Sequence, residues 1–134
     1  MKNLLVGIFL LNLSGCAMVD AYFSAKFDSN EYLLVDDIRS VAQTGPQFCD
    51  DRDRMNFITD SMYLTATKFK NYTQYIPHNE KTIPLAESLY DEVYKLHTRY
   101  QNPDKIGKAY CKMKLNIIEK SAETVQEVLG SKPR

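Results

Sequence analysis

Tryptophan is absent from this 134-residue chain, histidine occurs twice and cysteine three times. With so few of the residues that make metal and nucleophile sites, the motifs of common enzymes are missing. There is no G-x-S-x-G elbow, no H-E-x-x-H, no C-x-x-C-H haem attachment and no glycine-rich phosphate loop. The E-x-x-H pairs of di-iron bundles are missing as well. Charge of one sign is also lacking: 17 basic and 17 acidic residues are interspersed to a net charge of zero. That argues against a nucleic-acid partner and against a basic patch that clings to anionic lipid. The one apolar run, residues 4–13, is too short to span a bilayer stably. Nothing alternates with period two for long enough to build a sheet. These absences point to a helical protein that is not an enzyme and carries no metal.

Helical periodicity is what the chain has in abundance. A row of Met55, Ile58, Met62, Thr65, Phe69, Tyr72 and Ile76 steps by three and four residues, as the seam of a packed helix does. A later row runs Cys111, Leu115, Ile118, Ala122, Val125, Leu129, with Gly130 at the place of a C′ residue and Pro133 beyond. Between them lie Leu85, Leu89, Leu96 and Tyr100, flanked by Tyr90 and Val93; Thr82 is placed to cap this segment and Pro84 suits its first turn. The first segment is less regular, with Phe23, Phe27, Leu34, Ile38 and Val41. Gly45-Pro46, Ile76-Pro77-His78-Asn79 and Asn102-Pro103-Asp104 are turn chemistry, with Asn102 reading as an N-cap and Pro103 as N1. Four helices with short connections predict an all-α, up-down-up-down four-helix bundle.

Leu13-Ser14-Gly15-Cys16, directly after the apolar run and with Lys2 before it, resembles the lipobox of bacterial lipoproteins. The resemblance implies that residues 1–15 are a signal peptide and that Cys16 becomes the first mature residue, carrying a covalent lipid such as palmitate. Residues 16–134 would then be a single helical domain, with 16–22 as a tether. Attachment to the membrane would rest on the acyl chains of Cys16, several of which hold stably where one would not. Ala17 and Met18 follow the cysteine. In enteric-type lipoproteins an Asp at the first of these places retains the protein in the inner membrane. Its absence favours the periplasmic face of the outer membrane.

With Cys16 assigned to lipid, Cys49 and Cys111 remain as an even pair in an oxidising compartment, the setting of a structural disulfide. They lie about sixty residues apart. On the chain-entropy model, closing that loop contributes roughly 4 kcal/mol. Alternating helix directions put the starts of the second and fourth helices at one end, although Cys111 then falls about two turns, some 12 Å, into a fourth helix that begins at Pro103.

Other candidate groups read more plainly. Adjacent helical residues point about 100° apart, so neither Asp36-Asp37 nor Asp50-Asp51 presents two carboxylates to one point. Asp50 and Asp51 are favourable charges at a helix start. His78 falls in a loop, and His97 borders the core of the third helix. Tyrosine is the compositional oddity, with nine copies. Tyr63, Tyr72, Tyr75, Tyr90, Tyr94, Tyr100 and Tyr110 all belong to the last three helices or their ends. Some must pack in the core. A tyrosine-rich groove with Lys68, Lys70, Lys95, Lys108 and Lys112 nearby is also what a peptide-binding surface looks like.

The lipobox, four helices, Cys49-Asp50-Asp51-Arg52 after the first helix, Leu89-Tyr90, and Tyr110-Cys111 opening an apolar last helix together resemble the pilotin lipoproteins of type II secretion. The resemblance implies an outer-membrane-anchored periplasmic chaperone for a secretin or another envelope assembly. An amphipathic helix of the partner would lie in a groove between helices, with Tyr90, Tyr94 and Tyr63 as contacts and a short third helix leaving room. The alternatives are a structural or regulatory envelope lipoprotein, a small-ligand-binding bundle, and an enzyme whose site carries no recognised motif. An exposed tyrosine patch without a helix-sized groove would favour the first, and an internal cavity the second.

Overall fold

The computed structural model describes residues 24–134. The expected signal peptide of residues 1–15, the expected lipidation site Cys16, the expected tether of residues 16–22 and Phe23 lie outside the described residues. Four helices follow in order: α1 (Ser29–Thr44), α2 (Arg52–Thr73), α3 (Ile83–Gln101) and α4 (Lys108–Gly130), with a 3-10 turn (Gly45–Phe48) between the first two. No strand occurs among the described residues. Each helix packs on the next and α1 closes the ring against α4, giving the expected up-down-up-down bundle. The α3–α4 seam is the leanest of the four.

The fourth row was legible in full: Cys111, Leu115, Ile118, Ala122, Val125 and Leu129 are all buried. In α2 the seam lies elsewhere than expected. Met55, Met62 and Phe69 are buried, but Thr59, Ala66 and Thr73 fill the intervening positions, while Ile58, Thr65 and Tyr72 lie half-buried on the flank. Small side chains at every second turn let neighbouring helices approach closely. The same shift puts Ala86 and Val93 in the core of α3 and leaves Leu85 at its edge. In α1 the core row is Glu31, Val35, Ile38 and Ala42, with Leu34 and Val41 beside it.

Helix ends also differ from the sequence reading. Asp28 and Asp51 cap α1 and α2, each accepting a hydrogen bond from the amide three residues on, at 3.0 Å. Thr82 stands at the N-cap of α3 in a helical conformation and its side chain caps nothing. The fourth helix starts at Lys108 with Gly107 as N-cap, so Asn102-Pro103-Asp104 is connecting chain rather than a helix start. Arg52 explains why: its guanidinium donates to the carbonyls of Tyr100, Asn102 and Asp104, holding this segment across the start of α2. Gly130 ends α4 inside the helix without a left-handed φ, and Ser131 is the cap.

The two ends of the bundle are fixed differently. At one end Cys49 and Cys111 form the expected disulfide, with Cα atoms 5.8 Å apart. Because α4 begins at Lys108, Cys111 sits in its first turn and the expected axial offset disappears. Gly45 brings the 3-10 turn close to α4 there; a Cβ at this position would meet Leu115 Cδ1 at 3.0 Å. At the other end a buried polar clasp takes the place of a covalent bond. The Glu31 carboxylate is fully buried. It accepts from Lys132 Nζ at 2.8 Å and from Asn79 Nδ2 at 2.7 Å. Lys132 also donates to Asn79 Oδ1 at 2.6 Å, and Asn79 donates to the Thr73 carbonyl at 3.0 Å. The amide of Phe27 donates to the Pro133 carbonyl at 2.8 Å. The C-terminal residues thus bind the chain leading into α1 to the loop between α2 and α3.

Candidate functional site

Two helical rows meet on one flank of the bundle. From α2 come Asp60, Tyr63 and Lys70; from the antiparallel α3 come Tyr90, Tyr94, His97 and Gln101, spaced by four, three and four residues and so on one face. Tyr63 is the hub. Its ring lies parallel to the His97 imidazole, with centroids 4.4 Å apart. It also meets Tyr90 and Tyr94 in tilted contacts at 5.8 and 6.0 Å. Tyr90 and Tyr94 are near-parallel at 5.9 Å. The structure therefore brings together all three tyrosines expected to contact a partner.

Polar groups bound this aromatic ladder at both ends. Lys70 Nζ lies 4.2 Å above the Tyr90 ring, within the range of a cation–π contact. At the other end His97 Nδ1 approaches Asp60 Oδ1 at 3.2 Å without the alignment of a hydrogen bond. Gln101 Nε2 donates to the same oxygen at 3.1 Å. The Tyr63 and Tyr90 hydroxyls are 3.4 Å apart. That hydroxyl contact, followed by burial and the nearby Tyr63, Tyr94 and Asp91, pushes the Tyr90 phenol up to about 12. Tyr90 is a neutral, hydrogen-bonding phenol across the physiological range.

The ladder opens toward α4. Tyr94, 46 % exposed, stands between it and a shallow depression of about 280 Å³ bounded by Lys95, Thr98, Arg99, Asn102 and Tyr110. Glu92 crosses this seam, pairing with Lys95 at 3.1 Å and with Lys114 at 3.6 Å. The resulting surface is aromatic at its centre and carries Lys70, Lys95 and Arg99 along its border. The third helix has 19 residues and is not the shortest; α1 is, with 16. The open seam beside α3 thus comes from thin packing against α4 and not from a short third helix.

The remaining tyrosines separate by role. Tyr100 is core, and burial raises its phenol above the ordinary value despite Arg52 nearby. Tyr72 donates to the N-cap carboxylate of Asp28 at 3.0 Å, and Tyr75 stands exposed beyond the end of α2. Tyr110 lies on the α4 side of the open seam, beneath Lys114. Asp60 and Gln101 at the foot of the ladder escaped sequence reading, since only their register against His97 and Tyr63 marks them. The acidic pairs go to unrelated tasks: Asp36 accepts from Gln126, Asp50 pairs with Lys108, and Asp51 caps α2.

A second cavity of about 230 Å³ lies at the clasp end, among Ser24, His78, Thr82, Ser131 and Lys132. Among the described residues no cluster of three or more metal-ligating side chains occurs, and no helix is long and apolar enough to cross a membrane. Compared with protein-family models, curated proteins and solved structures, the chain matches none.

Proposed function

We propose that this protein is a lipid-anchored component of the bacterial cell envelope, held at the outer membrane through Cys16, that docks a helical segment of an envelope protein in the manner of a pilotin-like chaperone. The observation that carries the docking reading is the convergence of Tyr63, Tyr90 and Tyr94 on one flank of α2 and α3. The depression beside them is shallow and not a helix-sized groove, which favours a structural or regulatory envelope lipoprotein as the second reading. Tyrosine presents a large rigid apolar face together with a hydroxyl, and is enriched at interface cores for that reason. An amphipathic partner helix would place its apolar residues on this ladder and seat one anchor in the depression between Tyr94 and Tyr110. Acidic residues on its rim would face Lys70, Lys95 and Arg99.

Membrane attachment is supported by the lipobox-like Leu13-Ser14-Gly15-Cys16 and by the disulfide, which belongs to an oxidising compartment. Seven residues separate Cys16 from Ser24, a span of eight residue steps. Fully extended they reach at most about 28 Å, short enough to keep the bundle close to the bilayer.

The test is metabolic labelling with an alkynyl palmitate, followed by purification from outer-membrane fractions. Wild-type protein is expected to carry the label and to copurify one envelope protein through its terminal helix. Cys16→Ser is expected to lose the label, and Tyr94→Ala to keep the label and lose the partner. Label retained in Cys16→Ser would overturn the anchor; an undiminished partner in Tyr94→Ala would overturn the docking face.

A further inference from the structure

The outward row of α2 is used by neither the disulfide, the clasp nor the tyrosine ladder. It carries Asp53, Phe57, Ser61, Leu64 and Lys68, all exposed. Phe57 is 75 % exposed and Leu64 56 %, values high for large apolar side chains on a well-packed helix. They lie two turns apart, about 10 Å along the axis, and so share one face. Single exposed apolar residues are ordinary on protein surfaces, but two on one stripe form a patch. Asp53 and Lys68 flank the pair at either end, and neither has an ion-pair partner among the described residues.

The row is complementary to its own reverse. Phe57 and Leu64 are equidistant in sequence from the point between Asp60 and Ser61, and so are Asp53 and Lys68. A second α2 laid antiparallel across that point would set Phe57 on the partner's Leu64 and Asp53 beside the partner's Lys68, each contact made twice. This is the self-complementarity that a twofold interface requires. Ser61 at the centre is small enough for the helices to approach. Asp60 is drawn away from the axis toward α3 by Gln101 and His97. We propose that two copies of this chain pair through α2 in an antiparallel, twofold arrangement. One helical stripe buries much less than the roughly 800 Å² per partner of a standard interface, so the dimer is weak and reversible. It leaves Tyr90 and Tyr94 uncovered, and it does not rest on the docking reading.

The test uses the full chain in its native membrane. Ser61→Cys places a thiol beside the axis, and diamide oxidation is expected to give a covalent dimer on non-reducing gels. Asn116→Cys, on the exposed side of α4, is expected to give little. In the Ser61→Cys background, Leu64→Asp should lower the dimer yield about tenfold, which corresponds to about 1.4 kcal/mol of association free energy. Lys68→Asp should lower it also, by setting two carboxylates together, and adding Asp53→Lys should restore it. Helical circular dichroism checks that each variant is folded. Coupling no greater at Ser61→Cys than at Asn116→Cys would overturn the proposal. So would a charge-swapped variant that couples as poorly as Lys68→Asp alone.

Discussion

Replacing Lys132 with methionine keeps most of the apolar stem and leaves the Glu31 carboxylate buried without its cation. In the native protein that carboxylate is fully buried and the Lys132 side chain is 9 % exposed, so solvent does little to screen their 2.8 Å contact. Breaking a buried pair from one side costs about 3–5 kcal/mol, because the remaining charge stays in the interior. Asn79 still donates to Glu31 in the variant, which places the expected loss near the lower figure, about 3 kcal/mol. Lys132→Met combined with Glu31→Gln removes both charges and keeps the Asn79 donor satisfied. It is expected to cost only about 1 kcal/mol, the scale of an ordinary hydrogen bond. The two changes are therefore strongly non-additive. Urea unfolding at neutral pH with the disulfide intact measures each corner of the cycle. A Lys132→Met loss under about 1 kcal/mol, or a double variant whose loss equals the sum of the singles, would refute the clasp as a buried charge pair.

The other expectations concern separate parts of the bundle. Arg52→Ala leaves three carbonyls at the end of α3 without their charged donor; a loss of about 2–3 kcal/mol is expected, with faster amide exchange confined to the α3–α4 connection. Reducing the Cys49–Cys111 bond, which closes a 62-residue separation, should cost about 4 kcal/mol in urea unfolding while the helical signal survives at low denaturant. Ultraviolet titration should show one phenol ionising near 12, and Tyr63→Phe should bring it back toward the ordinary value of 10 by removing the hydroxyl that holds it. The same shift has a sign for stability. The folded phenol holds its proton more tightly than the unfolded one, so its contribution is complete below about pH 10 and disappears as pH rises toward 12. Alkaline unfolding of Tyr63→Phe should accordingly depend less on pH across that window.

Architecture was legible in the sequence wherever apolar residues alone make the core. The α4 row needed nothing else; the bundle topology followed from four helical rows with short connections, and the cysteine pairing from the even pair left once Cys16 is assigned to lipid. The α2 row slipped because Thr59, Ala66 and Thr73 were passed over for larger neighbours; close helix approach selects for small volume, which a count of apolar residues does not register. Helix ends were misplaced where a distant side chain decides them. Asn102-Pro103 has the chemistry of a helix start, yet Arg52 from α2 captures the carbonyls there. The clasp was the least visible element. Pro133 reads only as a stop beyond the last helix, and only Glu31, in register with Val35, Ile38 and Ala42 on the inner face of α1, marks a buried charge in need of a cation. The tyrosine face was accessible because its members repeat at helical spacing, but the foot of the ladder at Asp60 and Gln101 requires the register between α2 and α3.

Site-specific photo-crosslinking in intact cells tests the docking reading most directly. A benzophenone at Tyr94 of the full chain should capture a single envelope protein, and peptide mapping should place the crosslink on an amphipathic helix with acidic residues on its rim. A benzophenone at Asn116 on α4 should capture none of it. Equal capture from both positions, or a crosslink at Tyr94 to a segment that is not helical, would contradict the account.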